Sequence, residues 1–547
     1  MRVLLTTFNS SYIHKNLALR WLYVAKPESI YAEIKEFTIK DKVSNVIDYI
    51  NLNNFDVVAI STYIWNVKET KALINEIEKL KKNIKVILGG PEVTYENDEW
   101  FDLAIDGIVL GEGERSIWEF LLDNDDTFVK VKANEFKQIR KEDPKYLEGL
   151  PSPYNLEIDQ ASMENQYLYL EASRGCPFRC SYCLSSLDNQ VRFFSFEYLE
   201  SVFEEVKGHK INQVKFLDRT FNASKERTKK LYALLEKYDN IDSFQVEIVA
   251  DRLSEDLIEM IIAPENRHRF RYEVGIQSFN QQTLKSVDRI QDNQRVKEVM
   301  SILLKNDVVI HADLIAGLPY EGLTSFRDSF NQLASIYPTE LQLGILKLLK
   351  GTKMKREALE MGFLASSDAP YEVYRTPWLE KSEMDYINIV AKGVDRTINR
   401  NLFQQTIKWL SAVVYDNDLF LLFYDLGLIF EKIGISYQKY DLFMMVYNQY
   451  KDQVDSDLFI TYLNLDYFKN EKQKPKLLFK ESLVRELNRN IVFNGYFSQE
   501  TVYGYSRVFK DYRKPDACIF VLFNQNQDPA DLYAIDFKED LCQKISS

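Results

Sequence analysis

The sequence has little cysteine: five residues in 547, too few for the disulfide frameworks that hold small secreted domains together. It has no basic tract. Lysine and arginine total 69 against 82 aspartates and glutamates, a net charge of −13, so nothing neutralises a phosphate backbone and nucleic acid is not an expected partner. Long apolar runs are missing too. The longest, Leu419 to Phe430, is broken by Asp425 and falls short of the roughly 20 residues a membrane span needs. The opening MRVLLTTFNSSYIHKN reads as a buried strand rather than a signal peptide. No internal repeat or low-complexity segment occurs. These absences together point to a cytoplasmic protein with no membrane partner.

What is present is apolar material for packed cores, 46% hydrophobic residues with 28% charged, in a chain long enough for about three domains of roughly 100–200 residues each. Residues 1–125 alternate apolar runs (RVLLTTF, VVAIS, KVILGG, DGIVLGEGE) with amphipathic stretches. This pattern predicts an α/β, Rossmann-like, doubly wound parallel sheet that takes ligands beyond the carboxyl ends of its strands. Residues 126–165 are charged and irregular, and Pro144, Pro151 and Pro153 mark them as a linker. Residues 166–362 carry six further strand candidates, YLYLEAS, QVKFLD, FQVEIVA, FRYEVGI, VVIHADLIAG and LQLGILK. Six βα units in this span suit a partial (β/α)6 TIM-like barrel. Residues 363–547 turn to long Tyr- and Phe-rich segments, a mainly helical domain, with a closing hairpin of CIFVLF and LYAIDF around Asn524–Asp531.

Three of the five cysteines, Cys176, Cys180 and Cys183, fall in EASRGCPFRCSYCLSS, a C-x3-C-x2-C spacing directly after a strand. Cubane clusters are held by thiolates, normally four, so three leave one iron open. A zinc site also takes thiolates but needs a fourth Cys or His, and the nearest downstream histidine is His209. Cys518 and Cys542 stand alone and read as packing or surface residues. Asp218, Glu247, Glu273 and Asp313 occur mid-strand or at strand ends in four successive units. In a helix-wrapped barrel a strand charge belongs mainly on the lumen face. The alternative is structural pairing with Arg219, Arg252 or Arg271.

The cysteine loop, with Arg174, Gly175, Pro177 and Tyr182 around it, resembles the radical S-adenosylmethionine (SAM) superfamily. That resemblance implies a [4Fe-4S] cluster on Cys176, Cys180 and Cys183 whose open iron is chelated by the amine and carboxylate of SAM. It also implies reductive cleavage of SAM to the 5′-deoxyadenosyl radical. EVGIQSFNQQTLKSVDR resembles the strand-four region, where Gln277 and Ser278 would approach the ribose and carboxylate of SAM. DLIAGLPYE resembles the strand-five glycine turn, where Gly317 would pass the adenine. Asp218, in LDRTFN, stands where relatives carry a Gly-Gly-Glu segment that grips the amino group; the glycines are absent here. Tyr182, Asp218, Glu247, Glu273, Gln277, Ser278 and Gly317 are therefore the SAM-contact candidates, and Asp218 and Tyr320 the candidates for proton management.

A Rossmann-like domain ahead of such a barrel resembles the cobalamin (B12)-binding branch of the superfamily. The matching pieces are Ser61, Thr62 and Tyr63 in VVAISTYIWN, Gly89 and Gly90 in VILGGPEVT, and Gly111, Glu112, Gly113 and Glu114 in VLGEGERS. Asn9 and His14 follow the first strand. Glycines at strand ends let backbone approach a ligand, and hydroxyls can meet a nucleotide tail. The D-x-H-x-x-G motif that supplies a histidine to cobalt is absent, so the resemblance implies a lower cobalt face without a protein ligand, packed by Tyr63, Trp65 or Asn66. His14 has a surface or capping role as its alternative, and the three others interdomain packing. The tail resembles a C-terminal domain of unknown function of the DUF4080 type.

The resemblance implies a cobalamin-dependent radical SAM methyltransferase acting on an unactivated carbon or a phosphinate of a small molecule or peptide, reduced by an external donor of the flavodoxin or ferredoxin type. Two alternatives stand beside it: a radical rearrangement or cyclisation without methyl transfer, and a non-catalytic cobalamin and Fe–S binding or sensor protein.

Overall fold

The computed structural model describes residues 1–122, 139–433, 437–471, 478, 483–523 and 530–545. The first sheet has five strands, β1 Arg2–Asn9, β2 Tyr31–Thr38, β3 Val57–Ser61, β4 Lys85–Gly89 and β5 Gly107–Ile108, in the order β2-β1-β3-β4-β5. All the pairings are parallel; β1 runs beside β2 at Val3↔Ala32 and beside β3 at Val3↔Val57. Its central strands β1 and β3 are buried almost throughout because both faces are covered. Leu4, Val58 and Leu88 pack with Val46 of the helix Val43–Asn53 and Leu73 of the helix Val67–Lys79. Val3, Leu5 and Ile87 pack on the other face with Leu19 and Trp118. Each such fully buried aliphatic side chain contributes about 1.5–3 kcal/mol. The strand β2, YAEIKEFT, is absent from the sequence expectation: it is an edge strand whose charged residues mask the apolar signal.

Chain order reverses between β1 and β3, so the loops after these two strands flank the crevice where such sheets bind ligands. Asn16 caps the helix Leu17–Val24 on one side, its side chain accepting from the Leu19 N–H. On the other, the Asn66 amide donates to Thr7 Oγ1, Phe8 O and Ser61 O at 3.1–3.2 Å and knits the loop after β3 to the strand ends.

The segment expected to be a bare linker is partly helical in its described portion. Asp143 accepts from the Lys145 N–H and caps a short helix, Pro144–Glu148, in which proline takes the first position instead of blocking structure. A second short helix, Glu157–Gln160, carries Asp159, which is buried and grips Arg20 through two 2.7 Å bonds. Residues 126–138 of the expected linker lie outside the described residues.

A six-stranded sheet follows in sequential order: β6 Leu168–Leu170, β7 Val214–Phe216, β8 Phe244–Ile248, β9 Phe270–Gln277, β10 Val309–Ala316 and β11 Glu340–Ile345. Burial alternates strictly along β8, β9 and β10. Phe244, Val246, Phe270, Tyr272 and Val274 are buried, and Tyr272 meets Tyr232 of the helix Lys225–Leu235 at 2.7 Å. The buried set therefore faces the helices, and the half-buried set (Gln245, Glu247, Arg271, Glu273, Gly275, Gln277) faces the lumen.

The described residues group into two compact units. One holds 1–311, 315–322 and 345–380, so the first sheet and most of the barrel share it; the other holds 312–314, 323–344 and 381–547. In the second, the helices Lys381–Asp395 and Leu419–Glu431 cross so closely that a Cβ on Gly393 would fall 2.2 Å from Phe423 O, and one on Gly427 2.1 Å from Ile389 O. The closing hairpin is the centre of a four-stranded antiparallel sheet, β12 Ser506–Lys510, β13 Ala517–Leu522, β14 Asp531–Asp536 and β15 Leu541–Ile545. The turn itself, residues 524–529, lies outside the described residues.

Candidate functional site

The cysteine loop leaves the carboxyl end of β6 and is closed by a two-residue antiparallel ribbon, Ser173–Arg174 against Arg192–Phe193. Gly175 turns the chain at φ +87, a conformation that L side chains rarely adopt, and a Cβ there would meet Gln190 O at 2.3 Å. The Cys176 N–H bonds Asp188 O at 2.9 Å and the Ser181 N–H bonds Val287 O at 2.9 Å. All three thiols are free; Cys176 and Cys180 are buried and Cys183 is half-buried. Burial pushes the Cys176 thiol up, opposed by hydrogen bonds from the Phe178 N–H and the Thr220 hydroxyl, with Cys183 and Cys180 close enough to add to the rise. The buried Arg289 guanidinium lies 3.9 Å from Cys180 Sγ and also donates to Gly275 O.

Among the described residues, no three His, Cys, Asp or Glu side chains converge on a point that would hold one metal ion. A mononuclear zinc site needs such convergence, whereas a cubane takes one thiolate per iron and wider spacing. His209 precedes β7, at the end of the strands opposite the cysteine loop.

Beside the loop is a cavity of about 870 Å³, of the size that holds cofactors. Asn9, His14, Ser61, Tyr63, Gly89, Gly90, Gly111, Glu112 and Gly113 line it from the first sheet, and Arg174, Gly175, Leu184, Ser185 and Arg219 from the barrel mouth. Thr62 does not line it; it is fully buried, its N–H bonds Gly89 O at 2.7 Å, and its carbonyl stands 2.5 Å from where a Gly90 Cβ would be. Gly90, at φ +102, is thus fixed as glycine by backbone below it. Asn66 is fully buried and serves only the loop brace, so it cannot pack against a ligand. Tyr63 and Trp65 stack at 4.4 Å, and Trp65 is 46% exposed toward the cavity it lines. His14 holds Tyr169 Oη through Nδ1 at 2.5 Å, and burial, with the Lys215 charge adding to it, lowers the imidazole pKa.

The SAM-contact candidates divide. Glu247 and Glu273 face the lumen: Glu247 pairs with Arg219 at 3.4 Å, and Glu273 accepts from Gln245 Nε2. Gln277 sits at φ +70 with its amide folded over Gly275, where a Cβ would meet Nε2 at 2.3 Å, and its buried Oε1 has no hydrogen-bond partner among the described residues. Ser278 is buried and donates to Glu321 at 2.6 Å, tying the β9 end to the turn after β10. Gly317 makes that turn at φ +89. Tyr182 has its hydroxyl pushed above the ordinary range by burial. Tyr320 packs on Trp378 at 4.6 Å and is absent from the cavity wall.

Asp218 departs from the expected lumen carboxylates. Alternation from Val214 and Phe216 places it on the helix-facing side, 3% exposed, accepting from the Ala172 N–H at 2.8 Å and the Ser173 hydroxyl at 2.5 Å. Burial pushes its carboxyl up to about 7. The folded chain thus holds a proton that the unfolded chain has released above about pH 4, so stability is greatest below that and falls as pH rises toward 7, by about 1.4 kcal/mol per unit. Asp218→Asn is expected to flatten this dependence. Melting of the two proteins from pH 5 to 8 checks it, and parallel curves would count against the buried proton.

Tyr169, Glu171, Trp21 and Lys350 also line the cavity and were not singled out in the sequence. Alternation in YLYLEAS puts Tyr169 and Glu171 on the lumen side; Lys350 has no local signal.

Residues 5–121 match the B12 binding domain, residues 170–333 the radical SAM superfamily, and residues 360–514 a protein family of unknown function, DUF4080. The chain is 25% identical over 308 residues to the cobalamin-dependent radical SAM methyltransferase TokK of Streptomyces tokunonensis, covering 51% of this chain and 44% of that protein. It is 22% identical over 315 residues to the 2-(S-pantetheinyl)-carbapenam-3-carboxylate methyltransferase of Streptantibioticus cattleyicolor, again 51% and 44%. It thus spans less than half the length of these relatives. Its fold is that of the cobalamin-dependent SAM radical enzyme OxsB (TM-score 0.60, 14% identity, 85% of this chain and 79% of that one). The radical SAM methyltransferase TsrM from Kitasatospora setae shares it (TM-score 0.54, 16% identity, 70% and 83%).

Proposed function

Since the chain belongs to the radical SAM superfamily, with a B12-binding domain ahead of its barrel and a DUF4080 domain after it, we propose that it is a cobalamin-dependent methyltransferase acting on an unactivated carbon. The observation that carries this reading is the shared wall: Arg174 and Gly175 of the cysteine loop line the same cavity as Gly89, Gly90, Gly111 and Gly113 of the first sheet.

The residues fit both groups. Cys176, Cys180 and Cys183 are free thiols on a loop fixed by backbone bonds, with Arg289 beside Cys180. Gly89, Gly90, Gly111 and Gly113 line the cavity without side chains to fill it, and the Tyr63–Trp65 stack lines it as well. When bound, the cluster supplies the electron that cleaves SAM, and cobalamin carries the methyl group. The chain's own part is to hold and exclude. The three thiolates fix the cluster, and the unpartnered Gln277 Oε1 offers an acceptor to a SAM hydroxyl or amine. His14, held by Tyr169, lines the cavity and is the imidazole within reach of a bound substrate. Substrate is a small molecule or a peptide, and the electron comes from a flavodoxin- or ferredoxin-type donor, which suits a reducing cytoplasm. Among the described residues no helix is long and apolar enough to cross a membrane.

Anaerobic titration of the cluster-reconstituted chain with hydroxocobalamin, followed by gel filtration, tests the reading. Stoichiometric retention with a base-off cobalt spectrum is expected, and so is 5′-deoxyadenosine from SAM under reduction. A protein that emerges without cobalt sinks the cobalamin half. Once a substrate is in hand, a product of unchanged mass would favour rearrangement over methyl transfer.

A further inference from the structure

Glu112 lies in the Gly111–Gly113 turn that walls the cavity, and four donors already engage its carboxylate. Oε1 accepts from Arg192 Nη2 at 2.5 Å; Oε2 accepts from Arg174 Nη1 at 2.9 Å, Arg192 Nη1 at 3.0 Å and the Glu142 N–H at 2.7 Å. Arg174 and Arg192 face each other across the ribbon that closes the cysteine loop. Arg174 stands two residues before Cys176. Arg192 pairs with Asp188 at 2.7 Å, and the Asp188 carbonyl accepts from the Cys176 N–H. One carboxylate of the first sheet therefore grips both ends of the loop that carries all three cysteines.

The turn has little freedom to absorb a displacement. Gly111 sits at φ +76, and a Cβ there would fall 2.4 Å from Arg140 O; one on Gly113 would touch Leu22 and Val109 at 3.3 Å. A ligand that presses on this wall must move Glu112 with it, and charge-assisted forks of this kind are directional. Arg174 and Asp188 line the same cavity, so both ends of the device face the ligand.

We infer that Glu112 is a positioning residue that couples occupancy of the cavity to the geometry of the cysteine loop, so that cobalamin and SAM tighten each other's binding. The inference rests on the proposed cofactors. Coupling is reciprocal, and linked sites commonly shift one another's affinity by about 5- to 150-fold.

The test uses the full chain with its cluster reconstituted and compares wild type with Glu112→Gln. The variant keeps the shape and one acceptor but turns an amide toward a guanidinium. Arg174 retains Glu114 at 2.8 Å and Glu171 at 2.9 Å, and Arg192 retains Asp188, so the fold has other supports. Labelled SAM is titrated by anaerobic equilibrium dialysis with and without hydroxocobalamin, and the reduced cluster is read by electron paramagnetic resonance. In wild type, hydroxocobalamin is expected to tighten SAM by about 5-fold or more and to shift the cluster signal. In Glu112→Gln the tightening and the spectral shift should disappear, the affinity for SAM measured with hydroxocobalamin falling to the value measured without it. Should Glu112→Gln fail to fold, Arg192→Lys, which keeps the charge but loses the fork, is expected to show the same loss of coupling. Wild type that retains cobalamin without any effect on SAM, or a variant that couples normally, overturns the inference alone. Wild type that retains no cobalamin overturns the functional reading and this inference with it.

Discussion

Replacing Cys176, Cys180 and Cys183 together by alanine is expected to remove the brown cluster absorbance and to lower 5′-deoxyadenosine formation by at least about 100-fold, the upper end of what losing a mere supporting group around a metal costs. The thiols are the groups of the loop with the chemistry to hold a cubane, and Cys176 and Cys180 are buried. The backbone bonds from Cys176 to Asp188 and from Ser181 to Val287 do not involve the thiols, so the fold should survive and the loss should be confined to the cluster. Iron and sulfide content after anaerobic reconstitution, with circular dichroism as the control, decides the matter: a triple variant that still binds a full complement of iron would remove the loop from the site.

The second large effect is on stability. Asp159 is buried and receives Arg20 through a fork of two 2.7 Å bonds, with Lys15 at 3.5 Å; Arg20 reaches Glu36 at 2.8 Å as well. Burial alone would raise the Asp159 carboxyl, but the Arg20 hydrogen bond and charge overcome it and hold the group below the usual carboxylate range. Its stabilising contribution is therefore complete above the unfolded value near 3.9 and is lost as pH falls below it through the lower folded value. Asp159→Ala leaves Lys15 and part of Arg20 as buried, uncompensated cations and is expected to cost about 3–5 kcal/mol, about 4–7 °C in melting temperature for a unit of this size. A melting shift under about 2 °C at pH 7 would mean that solvent reaches the pair.

Much of this was legible beforehand, for identifiable reasons. The strands β1, β3 and β4 are apolar runs because both their faces are covered, and the three clustered cysteines need no tertiary context to be noticed. The edge strand β2 was not legible, since Glu33, Lys35 and Glu36 interrupt its pattern and an edge tolerates them. Pro144 looked like a breaker because a proline that starts a helix and one that stops it differ only in what precedes them, here Asp143. Asp218 reads as a lumen carboxylate when taken as one of a series, yet the alternation begun at Val214 turns it to the other side. Tyr169 and Glu171 were within reach of the same alternation rule. The Glu112 clamp joins residues 62 and 80 positions apart in the sequence, and no local pattern announces a contact of that kind.

The crossing of Gly393 and Gly427 limits how the tail can vary. With carbonyls of the facing helix standing where each Cβ would go, even an alanine at one site must push two helices apart, and Phe420, Phe423 and Phe430, all buried, would then need new neighbours. Change at this crossing has to be concerted across both helices, whereas the solvent-facing sides of the same helices can drift residue by residue. A tail of unassigned role thus carries one stretch of sequence whose spelling is dictated by backbone geometry alone.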